Sequence, residues 1–230
     1  MRVSVIVPVY NEVNTIGEIL ARVRAAPIDG PIELIIVDDG STDGTREFLR
    51  EYAGRHDDTR VIRHDENRGK GSAIRRGIEH VTGDIAIIQD ADLEYDPRDY
   101  PVLLKPIVEQ RADIVFGNRF HGGEHRVLYY RHFLANRFLT MMCNLATDLN
   151  LSDMEVGYKV FRTSALKQLR LRARRFDIEP ELVIKSAALG VRIYEVPITY
   201  HGRTYAEGKK IGWRDGVTAL WRMLVFRFFG

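Results

Sequence analysis

Only one cysteine, Cys143, occurs in 230 residues, which excludes a disulfide framework and a cysteine-based zinc site and fits a reducing cytosol. The seven histidines are scattered without the paired helical spacing of a zinc site, so they read as structural or surface residues. No run of about 18 apolar residues is present to span a bilayer, and the chain enters a strand directly, with no signal peptide ahead of it. Membrane contact is therefore expected to be peripheral, on the cytoplasmic face. Charge of one sign is not in excess: 34 basic residues stand against 32 acidic ones, which argues against a nucleic-acid partner. The common phosphate cradles are also missing. Gly69-Lys70-Gly71 could open a helix with its amides toward a nucleotide, but Ile74 occupies the third small position of a dinucleotide fingerprint, and the stretch is not a P-loop.

What is present is enough apolar sequence, 45% of the chain, to bury one sizeable core. Val3 to Val9, Leu34 to Val37, Val61 to His64, Ile85 to Ile88 and Ile114 to Phe116 are short strand-like runs. Helical periodicity lies between them, as in Ile16, Ile19, Leu20 and Val23. This alternation predicts an α/β fold with a largely parallel sheet covered on both faces. Beyond Gly117 the pattern is irregular. Tyr129 to Asp148 reads as a helix, Tyr158 to Phe161 as a strand, and Pro180 to Leu189 as a helix whose Glu179 and Glu181 suit its dipole. Ile193 to Val196 reads as a strand that Pro197 ends at an edge. A last helix near Trp213 to Phe229 puts Leu220, Trp221 and Val225 on one face and Ala219, Met223 and Phe226 on the other. Such a helix suits the core, a homo-oligomer contact or in-plane membrane docking. Arg162 to Arg175 is basic without an acid and is expected to face solvent or anionic headgroups.

Ligands of such sheets bind past the carboxyl ends of the strands. Three polar clusters fall there: Tyr10 to Glu12, Asp38 to Asp43, and Asp90 to Glu94. Asp90-Ala91-Asp92 closes a buried strand with two carboxylates, which is unfavourable unless a cation neutralises them. Alternation along an extended chain lets both point at one hard ion, Mg²⁺ or Mn²⁺, of the kind that accompanies a diphosphate; the plainer reading is a helix-capping turn. Tyr10 can stack on a base and Glu12 can accept from base or ribose donors, while Asn11 or Asn14 is expected to cap the next helix.

Together, Val7 to Glu12, Val37 to Thr45, Asn67-Arg68-Gly69-Lys70-Gly71 and Asp90 to Leu93 resemble, in order and spacing, the nucleotide-sugar domain of family 2 of the inverting glycosyltransferases. The resemblance implies a GT-A fold, a Rossmann-like three-layer sandwich over residues 1–212. Its nucleotide-sugar half would cover about 1–117 and its acceptor half about 118–212, with an amphipathic helix at 213–230. It implies Pro8, Tyr10, Glu12, Asp39, Asp90, Ala91 and Arg119 around a GDP- or UDP-linked sugar, and Mg²⁺ or Mn²⁺ on Asp90, Asp92 and Glu94. Within the family, the second half is similar to the polyprenyl-phosphate sugar synthases. Asn118 to Gly123 matches their Ser-Arg-Tyr-x-x-Gly-Gly stretch, Arg131 an arginine that meets the lipid phosphate, and Arg203 with Gly208 to Lys210 their Arg-x-x-Gly-x-Ser-Lys segment. Asp153 to Lys159 resembles their Asp-x-x-x-Gly-Phe-Arg segment. The chain departs from the pattern at Glu94, where many relatives have Gln, at Ala135 in place of a serine, and at Lys209 before the lysine.

The chemistry implied is inverting transfer of a sugar to a polyprenyl monophosphate, with Asp92, Arg131, Arg203 and Lys210 in the catalytic machinery. A phosphate monoester has its second pKa at about 6, so this nucleophile needs no strong base. The alternative keeps the donor but uses a hydroxyl acceptor of a polysaccharide or glycolipid, for which Asp153 or Glu155 would be the base.

Overall fold

The computed structural model describes residues 1–122, 125–127, 129–204 and 213–229, with side chains of the last helix described at 216, 218, 220–223 and 225–227. Runs rich in Val and Ile become strands because branched side chains suit a pleated surface buried on both faces. Val5, Ile6, Val7, Ile36 and Ile87 are fully buried, each worth about 1.5–3 kcal/mol of burial. The strands are β1 (Val3–Val9), β2 (Ile32–Asp38), β3 (Thr59–Arg63), β4 (Ile85–Ile88), β5 (Ile114–Asn118), β6 (Lys159–Arg162) and β7 (Ile193–Pro197). They form one sheet in the order β3-β2-β1-β4-β6-β5-β7. Helices are α1 (Ile16–Arg24), α2 (Thr45–Ala53), α3 (Lys70–Ile78), α4 (Tyr100–Val108), α5 (Tyr130–Thr147), α6 (Thr163–Leu166), α7 (Ile178–Ala188) and α8 (Trp213–Phe229).

All pairings are parallel except those of β6, which runs against β4 and β5. That reversal positions the site. Ile88 at the end of β4 pairs with Lys159 at the start of β6, so the segment leading into β6 arrives at the carboxyl ends of the parallel strands. β7 lies at the sheet edge, as Pro197 implies.

Three details differ from the sequence reading, and a fourth adds to it. Asn11 caps no helix: it has a positive φ of 53°, and its side chain accepts from the Thr42 amide. The amides at the start of α3 do not form an open cradle, because Gly69 donates to Asp39, Gly71 to the Arg175 carbonyl and Ser72 to the Arg174 carbonyl. In α8 the buried side is that of Met223 and Phe226, while Trp221 is exposed. Glu179 and Glu181 stand in the first turn of α7, as the sequence implies, but both are buried and engaged inside the protein. Glu181 accepts from the Arg172 and Ala173 amides and pairs with Lys185.

Candidate active site

The ends of β1 and β2 are tied together through side chains. The amides of Asn11, Glu12 and Val13 donate to Ser41, Thr45 and Asp43, which fixes the turn that carries Tyr10 and Glu12. Tyr10 is exposed and Pro8 half-buried, two positions apart at the end of β1. Asp38 accepts from Ser41 N and Arg46 Nε at 2.9 and 3.0 Å. Asp39 is buried, with His64 Nδ1 and the Arg68 and Gly69 amides at 2.7, 3.0 and 2.7 Å. Its carboxylate thus holds the loop before α3, and that loop, rather than Asp39 itself, is what the strand end presents.

At the end of β4, Asp90, Asp92 and Glu94 gather but do not share one point. Among the described residues no three His, Cys, Asp or Glu side chains form a ready metal cage. Each acid instead meets a cation of the chain. Lys70 Nζ is 2.7 Å from Asp90 Oδ1. Arg203 lies 2.6 Å from Asp92, 3.3 Å from Glu94 and 3.7 Å from Glu12. Tyr200 Oη donates to Glu94 at 2.9 Å. Four acids therefore share Lys70 and Arg203, and the balance is left negative: burial, then Asp90 and Glu94, push the Asp92 carboxyl up to about 7 against the pull of Arg203. Such a donor set, all oxygen and short of positive charge, fits a hard divalent cation. Gly157 is required beside it, since a Cβ there would collide with Asp90 Oδ2 and the Tyr95 ring.

Behind Asp90 runs a buried chain of alternating charge. Lys70 also contacts Glu179 Oε1 at 2.9 Å, and Lys159 contacts Glu179 Oε2 at 2.5 Å. Burial alone would lower the Lys70 pKa, but Asp90 and Glu179 overcome it and hold the ammonium charged; burial would raise Glu179, but Lys159 and Lys70 hold it ionised. Sequence reasoning missed Lys70, Glu179 and Lys159 as members of the site. The available signal was Lys70 inside Asn-Arg-Gly-Lys-Gly; the pairing with Glu179 spans 109 positions and leaves no local trace.

On the acceptor side, Arg119 is clamped by Asp153 through Nε and Nη2, both at 2.7 Å, and stacks over Tyr200. Asp153 is fully buried and also accepts from Asn136. Both its oxygens are taken, so the expected base is committed to holding Arg119. Glu155 differs: its Oε1 is buried without a partner among the described residues, and burial, then Glu179, push its carboxyl up to about 7. Arg131 is exposed in the first turn of α5. Lys210, with Gly208, Lys209 and Gly123, lies outside the described residues. Ala91, between Asp90 and Asp92 in the chain, is buried.

A family model for glycosyl transferase family 2 matches residues 4–170. The chain belongs to glycosyl transferase family 2. Relatives in the family include a dodecaprenyl-phosphate galacturonate synthase of Rhizobium johnstonii, 30% identical over 91% of this chain and 62% of the relative. An undecaprenyl-phosphate mannosyltransferase of Micrococcus luteus is 30% identical over 92% of this chain and 88% of its own length. The chain thus spans about three fifths of the Rhizobium protein and most of the Micrococcus one. Among solved structures, glucosyl-3-phosphoglycerate synthase from Mycobacterium tuberculosis in complex with Mn²⁺, UDP and phosphoglyceric acid superposes with a TM-score of 0.74. It is 22% identical and covers 99% of this chain and 79% of that one. The fold is GT-A, as the sequence resemblance implies.

Proposed function

We propose that this protein transfers a sugar from a nucleoside diphosphate, GDP- or UDP-linked, to the phosphate of a polyprenyl monophosphate at a membrane surface, with inversion at the anomeric carbon. The observation that carries the reading is the acid cluster of Asp90, Asp92 and Glu94 at the strand ends, short of positive charge and flanked by Lys70 and Arg203. The activities of the Rhizobium and Micrococcus relatives suggest the acceptor class.

Pro8, Tyr10 and Glu12, with the loop that Asp39 holds, would take the base and ribose. Asp90, Asp92 and Glu94 would hold Mg²⁺ or Mn²⁺, which when bound offsets charge on the leaving diphosphate. Lys70 keeps Asp90 oriented. The acceptor phosphate oxygen forms a bond to the anomeric carbon as the bond to the diphosphate breaks, and the electron pair leaves with the diphosphate. No proton has to be removed, because the monoester's second pKa is about 6. Arg131, Arg203 and Lys210 would cradle the acceptor and reduce the repulsion of two approaching anions. Arg119, clamped by Asp153, would stiffen the wall between donor and acceptor.

The purified protein, given labelled GDP- and UDP-sugars, undecaprenyl phosphate and Mn²⁺, is expected to form an organic-extractable sugar lipid, and EDTA should abolish it. Equal product with EDTA would overturn the role of the acid cluster. A hydroxyl acceptor is a second reading, favoured by Glu155, whose carboxyl near 7 suits a base. Glu155→Gln separates them: transfer to the lipid phosphate should persist, whereas a hydroxyl-acceptor enzyme would lose turnover.

A further inference from the structure

We propose that the groove between α3, the 172–177 segment and α8 binds a soluble oligophosphate, a di- or triphosphate free or carried on a nucleoside, at a place separate from the donor and acceptor site. The inference does not rest on the donor or the acceptor proposed above. The groove has a volume of about 770 Å³. Arg68, Arg75, Arg76, Arg174, Arg175 and Arg222 converge on it from four separate stretches of chain, against three acids, Glu66, Glu79 and Asp177. Each acid already has its arginine: Arg68 lies 4.0 Å from Glu66, Arg222 lies 3.3 Å from Asp177, and Arg76 donates to Glu79. Three guanidinium groups are left over. Arg75 donates to the Arg172 carbonyl at 3.3 Å, and the side chains of Arg174 and Arg175, both exposed, meet no acid among the described residues.

The lining selects the occupant. A cleft with an excess of one sign of charge concentrates counter-ions, and the arginine fork matches the oxygens of a phosphate bidentately. Three forks without an acid exceed the needs of one phosphate. The volume lies within the range of about 300–1,000 Å³ usual for small-molecule sites, so two or more linked phosphates fit it. No large apolar side chain lines the groove, which leaves acyl chains nothing to bury against and favours a soluble ligand over a lipid. Glu66 and Glu79, both exposed, stand against a long polyanion such as nucleic acid running through it.

The groove also reaches the donor end through the backbone. The carbonyls of Arg174 and Arg175 accept from the amides of Ser72 and Gly71 at 3.1 and 3.2 Å, in the first turn of α3. The two segments touch so closely that a Cβ on Gly69 would collide with the Arg174 carbonyl oxygen. Lys70, between Gly69 and Gly71, reaches Asp90 and Glu179. An anion gripped by Arg174 and Arg175 thus holds the segment against which the Lys70 turn rests.

Isothermal titration calorimetry of inorganic triphosphate into the metal-stripped full chain tests this. Wild type should bind it with an affinity that falls as salt rises, and its melting temperature should rise with triphosphate concentration. Arg174→Ala/Arg175→Ala should bind at least about tenfold more weakly, since two charge-assisted contacts are lost. Arg174→Ala alone should lose a few-fold and covers the case that the double variant does not fold. Arg203→Gln should bind triphosphate as wild type does. The site is overturned if wild type takes up no triphosphate, if the groove variants bind it like wild type, or if Arg203→Gln loses it, which would place the anion in the acceptor cradle. Displacement of triphosphate by phosphatidylglycerol vesicles, or much tighter binding of an oligonucleotide, would put a lipid surface or a nucleic acid in place of the soluble ligand and overturn the proposal equally.

Discussion

At the carboxyl ends of β1, β2 and β4, acids find cations inside the protein: Arg46 for Asp38, Lys70 for Asp90, Arg203 for Asp92 and Glu94. On the outer side of α5, arginines border apolar residues with no acid of that helix to meet them. The first region is nearly complete in itself and lacks positive charge; the second lacks a cover and any negative charge. A donor that arrives with a divalent cation and a membrane that arrives with anionic headgroups would each supply what one region is missing. Both complements would come from outside the chain, so the internal contacts of either region tell only part of its role.

The sharpest way to break the comparison is at the donor end. Asp92→Asn keeps the shape of the side chain, and Glu94 and Glu12 still hold Arg203, so the fold should stand. Turnover should fall by about 10²–10³-fold, the size of effect seen when one group that stabilises developing charge is removed. Steady-state kinetics beside a thermal melt would check it; near-normal kcat would place the chemistry elsewhere.

How far each region could be read beforehand differs for a physical reason. Strands β1 and β4 and the acids after β4 are local: a run of branched residues makes the strand, and the next residues must lie at its end. The direction of β6 is not local. It depends on which side of the sheet the chain re-enters after α5, and with it come Asp153, Gly157 and the Lys159 partner of Glu179. Asp39 and Asp153 stand at the strand ends, as the sequence suggests, but their engagement by His64 and Arg119 was not legible, since those pairs join positions 25 and 34 apart. The apolar outer side of α5 was legible as a helix only, because periodicity marks apolar faces without saying which one the protein covers.

A smaller effect is expected one layer further in. Glu179→Gln removes the acid that bridges Lys70 and Lys159: Lys70 keeps Asp90, while the buried Lys159 ammonium is left with the Met154 and Val156 carbonyls. Breaking a buried pair in this way costs about 3–5 kcal/mol, which urea denaturation would read directly. Adding Lys159→Met to Glu179→Gln should recover part of that loss, because it removes the stranded charge. If Glu179→Gln alone unfolds like wild type, the chain of charges behind Asp90 carries little of the site's rigidity.

The smallest effect lies at the opposite end of the sheet, where charge is satisfied without any help from outside. Glu33 is buried, which alone would raise its pKa, but the hydroxyls of Ser4 and Thr82 and the amides of Thr82 and Gly83 donate to it and hold it below its ordinary 4.5. A carboxyl whose folded pKa is depressed adds stability that is fully present above the unfolded value and is lost as pH falls through the folded one. The stability gap between wild type and Glu33→Gln should therefore be constant near neutral pH, about 1.5–3 kcal/mol for hydrogen bonds to a charged group. It should shrink only below pH 4.5, where denaturation curves at stepped pH would follow it. A gap that closes already between pH 6 and 7 would mean that Glu33 titrates with the crowded acids of the donor end, and the contrast between a self-sufficient end of the sheet and one that awaits a cation would fail.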